Sequence, residues 1–265
     1  MTGIEGVLRR ERAVIAAGLT VVVALAWLYL WRGAGMGMSA IDMTTLSLFP
    51  HRQAEVMGEM EMHSTWPVVV AMWWVMMIAM MTPSAAPLVL LYGRVLRHHA
   101  TSGQNVYLPS LLLLAGYLVV WLAFSVAAAA LQKALQPAGL ISEMMLWSKS
   151  APLSAAILAA AGLYQLSDLK HACLAQCRSP VRFLTEYWRP GHFGSFVLGV
   201  RHGAFCVGCC WMLMTLLFVG GVMNLIWIAM LTLIVLLEKL SPAGAMVGKL
   251  SGGLLIVWAV ATLLV

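Results

Sequence analysis

The sequence predicts an all-α membrane protein, a polytopic transmembrane helix bundle of about seven spans with its amino terminus inside. Of its 265 residues, 62% are hydrophobic and only 10% are charged, with a mean hydropathy of +0.90. A soluble domain carries roughly 25% charged residues, so that class is excluded. Apolar stretches long enough to cross a bilayer recur along nearly the whole chain. Residues 1–265 are therefore expected to form a single integral membrane domain.

The first span is predicted over residues 13–31. Arg9, Arg10 and Arg12 precede this apolar run. The run is longer than the core of a signal peptide and lacks a convincing small-residue cleavage site, which favours a retained helix. Spans two to four follow at residues 68–92, 108–131 and 151–166, each near the roughly 20 residues that a transmembrane helix needs.

The apolar stretch over residues 203–237 is too long for one crossing. As a single helix it would rise about 52 Å, against a hydrocarbon core of about 30 Å. Gly220 and Gly221, followed by Asn224, favour a tight turn between spans five and six. The last span, over residues 250–265, is short.

The basic residues predict the orientation of the bundle. Seven spans with the amino terminus inside place most of the lysines and arginines in inner segments, and the reverse orientation would invert this asymmetry. Those expected inside are Arg9, Arg10, Arg12, Arg94, Arg97, Lys170, Arg178, Arg182, Arg189, Arg201, Lys239 and Lys249, against Arg32, Arg52, Lys133 and Lys149 outside. Such a basic excess in a membrane protein reflects topology, so no nucleic-acid partner is expected.

Two connections are long, an outer loop over residues 32–66 and an inner loop over residues 167–196. The outer loop is rich in methionine, and thioether sulfur is a soft ligand that suits Cu(I). The segment could therefore collect copper, or it could be an amphipathic loop at the membrane surface in which Met is an adaptable apolar residue. Its candidate ligands are Met57, Met60, Met62 and His63.

Span two carries a methionine stripe. Met72, Met76 and Met80 recur every four residues, and Met77 and Met81 repeat the interval beside them. Four-residue spacing places side chains on one helical face. The stripe could hold copper or simply pack against neighbouring helices. Pro83 follows directly and would free a backbone carbonyl near Met80.

Span five carries the densest cluster of soft ligands. His202, Cys206, Cys210 and Met214 fall at successive four-residue steps, with Cys209 one residue before Cys210. Soft sulfur favours Cu(I), zinc or an iron–sulfur cluster, and methionine disfavours zinc. Cysteine is also a suitable small residue for close helix packing, and Gly199 with Gly203 indicates that this helix packs tightly.

Cys173 and Cys177 lie four residues apart in the inner loop. On the cytoplasmic side they should be reduced thiols rather than a disulfide. They could form a second metal-docking pair, or they could be incidental cysteines at a helix end.

Glu238 beside Lys239 is expected to form an interfacial ion pair rather than a proton or ion site.

Three blocks of sequence resemble a known family. They are residues 76–84 (MMIAMMTPS), 206–214 (CVGCCWMLM) and 223–227 (MNLIW), followed by Glu238 and Lys239. In this order they resemble an uncharacterised family described as predicted metal-binding integral membrane proteins, over about two thirds of the chain. The resemblance implies metal binding through these sulfur-rich motifs.

The leading hypothesis is a copper-handling membrane protein that binds Cu(I) through Met, Cys and His and stores, relays or transports it. Alternatives are a membrane thiol–disulfide electron carrier and a structural or assembly subunit of a larger membrane complex. Motifs for hydrolysis or ATP-driven pumping are missing, so an enzyme is not favoured. The expected partners are the lipid bilayer and a membrane complex or copper enzyme, in a bacterial inner membrane.

Overall fold

The computed structural model of the chain describes residues 3–35, 41, 44–45, 47–49, 65–99, 106–142 and 146–265. In this part the regular elements are helices, accompanied by one isolated antiparallel bridge between Ile141 and Ser148. The all-α class is thereby confirmed. The helices are α1 (Gly3–Trp31), α2 (Trp66–His99), α3 (Tyr107–Leu135), α4 (Ala151–Gln165), α5 (Asp168–Arg178), α6 (Pro180–Tyr187), α7 (Gly191–Thr215), α8 (Leu217–Gly220), α9 (Leu225–Leu240) and α10 (Gly244–Leu264).

Five helical segments are long and apolar enough to cross a membrane. They are Arg12–Trp31, Trp66–His98, Tyr107–Leu135, Gly191–Gly220 and Gly244–Leu264, while α4 is apolar but shorter. These lengths are consistent with membrane insertion. The seven crossings and the inside amino terminus stay predictions.

The long apolar stretch after residue 203 divides where the sequence predicts. Helix α7 ends at Thr215, and α9 begins at Leu225 after the short α8. Gly221 adopts φ +94°, a left-handed conformation that glycine tolerates without strain. The Asn224 side chain caps α9 by accepting hydrogen bonds from the backbone N–H groups of Ile226 and Trp227, at 3.1 and 3.4 Å. The predicted turn is confirmed.

Helices α3 and α7 pack backbone to backbone through glycines. A Cβ atom on Gly199 would lie 2.0 Å from the Leu113 carbonyl oxygen, and one on Gly116 would lie 2.2 Å from that of Phe196. Only hydrogen fits in such a space, which is the usual function of small residues between membrane helices. The tight packing expected of α7 is confirmed, and it places Tyr117 of α3 beside α7.

The predicted inner loop is largely helical, because α5, α6 and the start of α7 lie within residues 167–196.

A buried ion pair connects α5 to α9, with Lys170 Nζ 2.6 Å from Glu238 Oε2 and both side chains almost fully buried. Gln165 accepts a hydrogen bond from Lys170 and donates one to Glu238. The expected Glu238–Lys239 pair is therefore wrong, since consecutive residues on a helix do not face each other.

A buried thiol cluster as the candidate metal site

One face of α7 is buried from end to end. His202 is 3% exposed, Cys206 and Met214 are 0% exposed, and Cys210 is 1% exposed. These residues recur every four positions, which keeps them on a single side of the helix. Cys209, at 1% exposure, lies beside this face. The grouping that the spacing predicts is thus present, although its ligation of a metal stays a prediction.

Cys206 has polar neighbours from two other helices. The Lys239 ammonium of α9 donates to Cys206 Sγ at 2.8 Å and to Ser84 Oγ at 3.2 Å. The Tyr117 hydroxyl lies 3.1 Å from the same sulfur and donates to the Met81 carbonyl at 3.0 Å. Cys206 therefore lies where a cation and a hydroxyl converge on one sulfur atom, an environment that favours metal-binding or reactive sulfur.

The other two cysteines of α7 are oriented differently. The Cys209 and Cys210 thiols donate to the Cys206 carbonyl oxygen at 3.1 and 2.9 Å. Cys210 Sγ also lies 3.9 Å from Met81 Sδ on α2. Thiol donation to a helix backbone is weak, so rotation about χ1 can turn these sulfurs toward a ligand at small cost.

Helix α5 adds a fourth thiol to the cluster. Cys177 packs against the core that contains Cys206 and Cys209, and hydrogen bonding toward these two sulfurs together with burial raises the pKa of the Cys177 thiol well above its usual value. Cys177 is therefore a protonated thiol at neutral pH, and it must lose that proton to bind a metal. The sequence spacing of Cys173 and Cys177 did not indicate which helix they would meet.

Cys173 lies on the same side of α5, one turn earlier. Its sulfur lies 2.8 Å from the position that a Cβ atom on Gly208 would occupy, so the glycine leaves room for it. Burial, followed by the charge of Cys209, raises the pKa of the Cys173 thiol. Cys173 and Cys177 are both half-buried, in contrast to the buried cysteines of α7.

The methionine stripe of α2 is fully buried. Met72, Met76, Met77, Met80 and Met81 are each 0% exposed and belong to the main hydrophobic core. Met80 and Met214 share this core, but the sulfur contact between α2 and α7 is made by Met81. Met81 belongs to the second four-residue series, with Met77, which lies beside the series of Met72, Met76 and Met80 because a helix turns about 100° per residue.

His202 is buried among aromatic rings. Its ring centroid lies 5.7 Å from that of Tyr117 and 5.2 Å from that of Phe183. Within the part of the chain that the structure describes, His202 Nδ1 has no hydrogen-bond partner. A buried polar atom without a partner is costly, so this nitrogen requires an explanation.

The described ranges contain no group of three or more His, Cys, Asp or Glu side chains arranged to hold a metal ion. The cluster instead combines thiols with a thioether, and its sulfurs are held in hydrogen bonds. Met57, Met60, Met62 and His63, the candidate ligands of the outer loop, lie outside the described residues.

Sequence reasoning missed two residues of the site, Tyr117 and Lys239. A lysine in the last turn of an apolar helix is a recognisable signal, since charges near membrane interiors often mark functional sites. We expected Lys239 to pair with the adjacent Glu238, so its contact with Cys206 was not predicted. Tyr117 carried no signal, because a tyrosine in an apolar span is ordinary.

The chain matches one family model, described as the copper chaperone PpoB2, over residues 70–262. The matched region contains α3 to α9 and nearly all of α2 and α10, and so every residue of the thiol cluster. Comparison with curated proteins and with solved structures gives no match.

Proposed function

Because the chain belongs to the PpoB2 family of copper chaperones, we propose that it is a membrane protein that takes up Cu(I) at the thiol cluster and releases it to an acceptor. Copper is the cargo in this proposal. The thiol cluster comprises Cys177, Cys206, Cys209 and Cys210, with Met81 as a fifth sulfur. The single observation that carries the proposal is that α7 places three cysteines on one buried side, with Met81 of α2 in sulfur contact and Cys177 of α5 packed against the same core.

The donor set fits Cu(I) chemically. Thiolate and thioether are soft ligands, and Cu(I) is the soft ion among the first-row metals that such ligands bind. Metal–sulfur bonds are about 2.3 Å long, so two sulfurs sharing an ion lie about 3.8 to 4.6 Å apart. The 3.9 Å between Cys210 Sγ and Met81 Sδ falls within this range.

Burial of the cluster supports carriage rather than catalysis. Cys206, Cys209, Cys210 and Met81 are at most 1% exposed, so bound Cu(I) would be shielded from water and oxidants. Each thiol that binds copper breaks its S–H bond, releases a proton and forms a Cu–S bond, with no change in oxidation state. A chaperone must hold its cargo in this protected, exchangeable form.

A path for the cargo follows from the order of sulfurs. The methionine stripe of α2 reaches the cluster at Met81, and thioethers are neutral ligands that release copper readily to thiolates. Cys177 is the member of the cluster on α5, and Cys173 lies one turn earlier on the same helix, with both side chains half-buried. We propose that copper enters along the stripe and leaves past Cys177 and Cys173. We also propose that the protein lies in the bacterial inner membrane.

The test is the copper content of purified protein after loading with Cu(I) under reducing conditions in detergent. Replacing Cys206 and Cys210 together with serine should abolish bound copper, because serine keeps the size but offers a hard oxygen. Cys173→Ser is the matched control, since it removes a cysteine at the edge of the cluster and should leave most copper in place. Mass spectrometry of the metal gives the stoichiometry.

The outcomes separate the candidate functions. Unchanged copper in a correctly folded double variant would contradict the site, and folding is checked by gel filtration and circular dichroism. Metal-free wild-type protein with a titratable disulfide would favour a thiol–disulfide carrier, which the contact of Cys177 with Cys206 and Cys209 allows. Neither copper nor a disulfide would favour a structural subunit.

A further inference from the structure

Lys239 is a buried cation whose nearest charge-bearing neighbour is sulfur. Its side chain is 5% exposed, and its ammonium lies 2.8 Å from Cys206 Sγ. In the described part of the chain no carboxylate forms an ion pair with it. Glu238, the adjacent acid, is already paired with Lys170. A cation buried without a carboxylate is costly, so its retention at this place calls for a function.

The effect of this charge on metal choice follows from Coulomb's law. For any one set of ligands, a divalent ion gives the site one more positive charge than Cu(I) does. That extra charge lies beside the ammonium, and the repulsion between them is strong where water is excluded. Two thiolates with Cu(I) carry a net charge of −1, which the ammonium neutralises. The same two thiolates with a divalent ion are already neutral, which leaves the ammonium uncompensated.

We propose that Lys239 is a specificity-determining residue, whose fixed positive charge makes the thiol cluster select monovalent Cu(I) over divalent ions that also bind thiolates, such as Zn(II). This inference rests on the proposed function, because it assumes that the cluster binds a metal. It adds the reason why a site rich in cysteine would not be filled by zinc. Met81 acts in the same direction, since zinc rarely uses thioether ligands.

The hydrogen bonds of Lys239 suggest how to separate its charge from its other contributions. The ammonium donates to Cys206 Sγ and to Ser84 Oγ, so it also orients the ligand. Lys239→Gln keeps a donor without the charge, Lys239→Met removes both, and Lys239→Arg keeps the charge. Lys249→Met, at an exposed position on α10, is the control for loss of a lysine elsewhere.

The experiment loads each purified variant with an equimolar mixture of Cu(I) and Zn(II) under reducing conditions and measures the bound Zn:Cu ratio. Wild type, Lys239→Arg and Lys249→Met should bind copper with little zinc. In Lys239→Gln and Lys239→Met the ratio should rise about tenfold or more, because the repulsion of the divalent ion is gone. Gel filtration identifies the variants that remain folded.

Different results of this experiment would contradict copper binding and contradict the selectivity of Lys239. Wild-type protein that binds no Cu(I) overturns the proposed function, and the selectivity inference with it. Wild type that binds Cu(I) while Lys239→Gln keeps the same Zn:Cu ratio overturns the selectivity inference alone. A shift in Lys239→Arg equal to that in Lys239→Gln also overturns it, because the charge would not be the cause.

Discussion

The methionine stripe of α2 and the cysteine face of α7 share their spacing and their burial, yet their surroundings differ. Both repeat every four residues, and both are almost fully excluded from solvent. The α7 face contacts an ammonium, a tyrosine hydroxyl and a thiol from three other helices, through Lys239, Tyr117 and Cys177. The stripe packs in the apolar core and has a sulfur contact only at Met81 among the contacts described.

A sulfur-rich helix face becomes a candidate site through the groups that contact it. Periodicity decides which side chains share a face, and apolar sulfur residues can fill such a face by packing alone. Polar groups from neighbouring helices then distinguish a chemical site from a packed core. By this criterion the α7 face is the candidate site, and the stripe is packed core that touches it at Met81.

The first prediction concerns the ion pair that attaches α5 to α9, and its substitution should reduce stability most. Glu238→Gln removes the charge that balances Lys170, whose side chain is 0% exposed. Breaking one partner of a buried ion pair leaves an uncompensated charge and should lower the free energy of unfolding by about 3 kcal/mol or more. Thermal or detergent-induced unfolding of the purified protein measures it. The α7 face should then lose Cys177, while the methionine stripe stays intact.

The double variant Glu238→Gln with Lys170→Met is the control, because it removes both charges and should recover much of the lost stability. Equal stability of Glu238→Gln and the wild type would show that the ion pair does not hold α5 in place.

The second prediction concerns the packing of α7 on α3. Gly199→Ala places a Cβ atom 2.0 Å from the Leu113 carbonyl oxygen, so the two helices must separate. Overpacking of this kind should lower the free energy of unfolding by about 2 to 3 kcal/mol. Tyr117 would also move away from Cys206. Gly253→Ala is the matched control, because nothing lies within 4 Å of its added Cβ, and it should be neutral. Equal effects of the two substitutions would refute the close packing.

The third prediction separates the two cysteines of α5. Cys177→Ser should weaken Cu(I) binding by about tenfold, because it removes a soft ligand that contacts Cys206 and Cys209. Cys173→Ser should change the affinity little, since its sulfur lies beside Gly208. Competition with a Cu(I) chelator of known affinity measures both. If Cys173→Ser had the larger effect, the order of sulfurs along α5 would be wrong.

The smallest expected effect compares two methionines of the stripe. Met81→Leu should weaken Cu(I) binding about threefold, because it removes the thioether 3.9 Å from Cys210 Sγ. Met76→Leu is equally buried and should leave the equilibrium affinity unchanged. Leucine conserves the volume, so packing changes little in either variant. The same chelator competition applies, and equal affinities of the two variants would place the stripe and Met81 outside the ligand set.

Much of the fold could be predicted from sequence because long apolar helices are recognisable from the length and composition of their segments. The turn after α7 was predictable from Gly221 and Asn224, whose conformational and capping preferences are local. The close packing of α7 was likewise indicated by Gly199 and Gly203. The helices α5 and α6 were not predicted because their polar composition is also typical of a connecting loop.

Which sulfurs share a helical face follows from the sequence alone, since spacing along one helix is a local property. Which groups those sulfurs contact depends on how the helices pack against one another. Glu238 and Lys239 are neighbours in sequence, yet one pairs with Lys170 and the other contacts Cys206. Apolar helix surfaces allow many packings, and the polar partners of a residue depend on which packing the whole bundle adopts. The thiol cluster, with Cys177 brought from α5, therefore exists only in the folded arrangement.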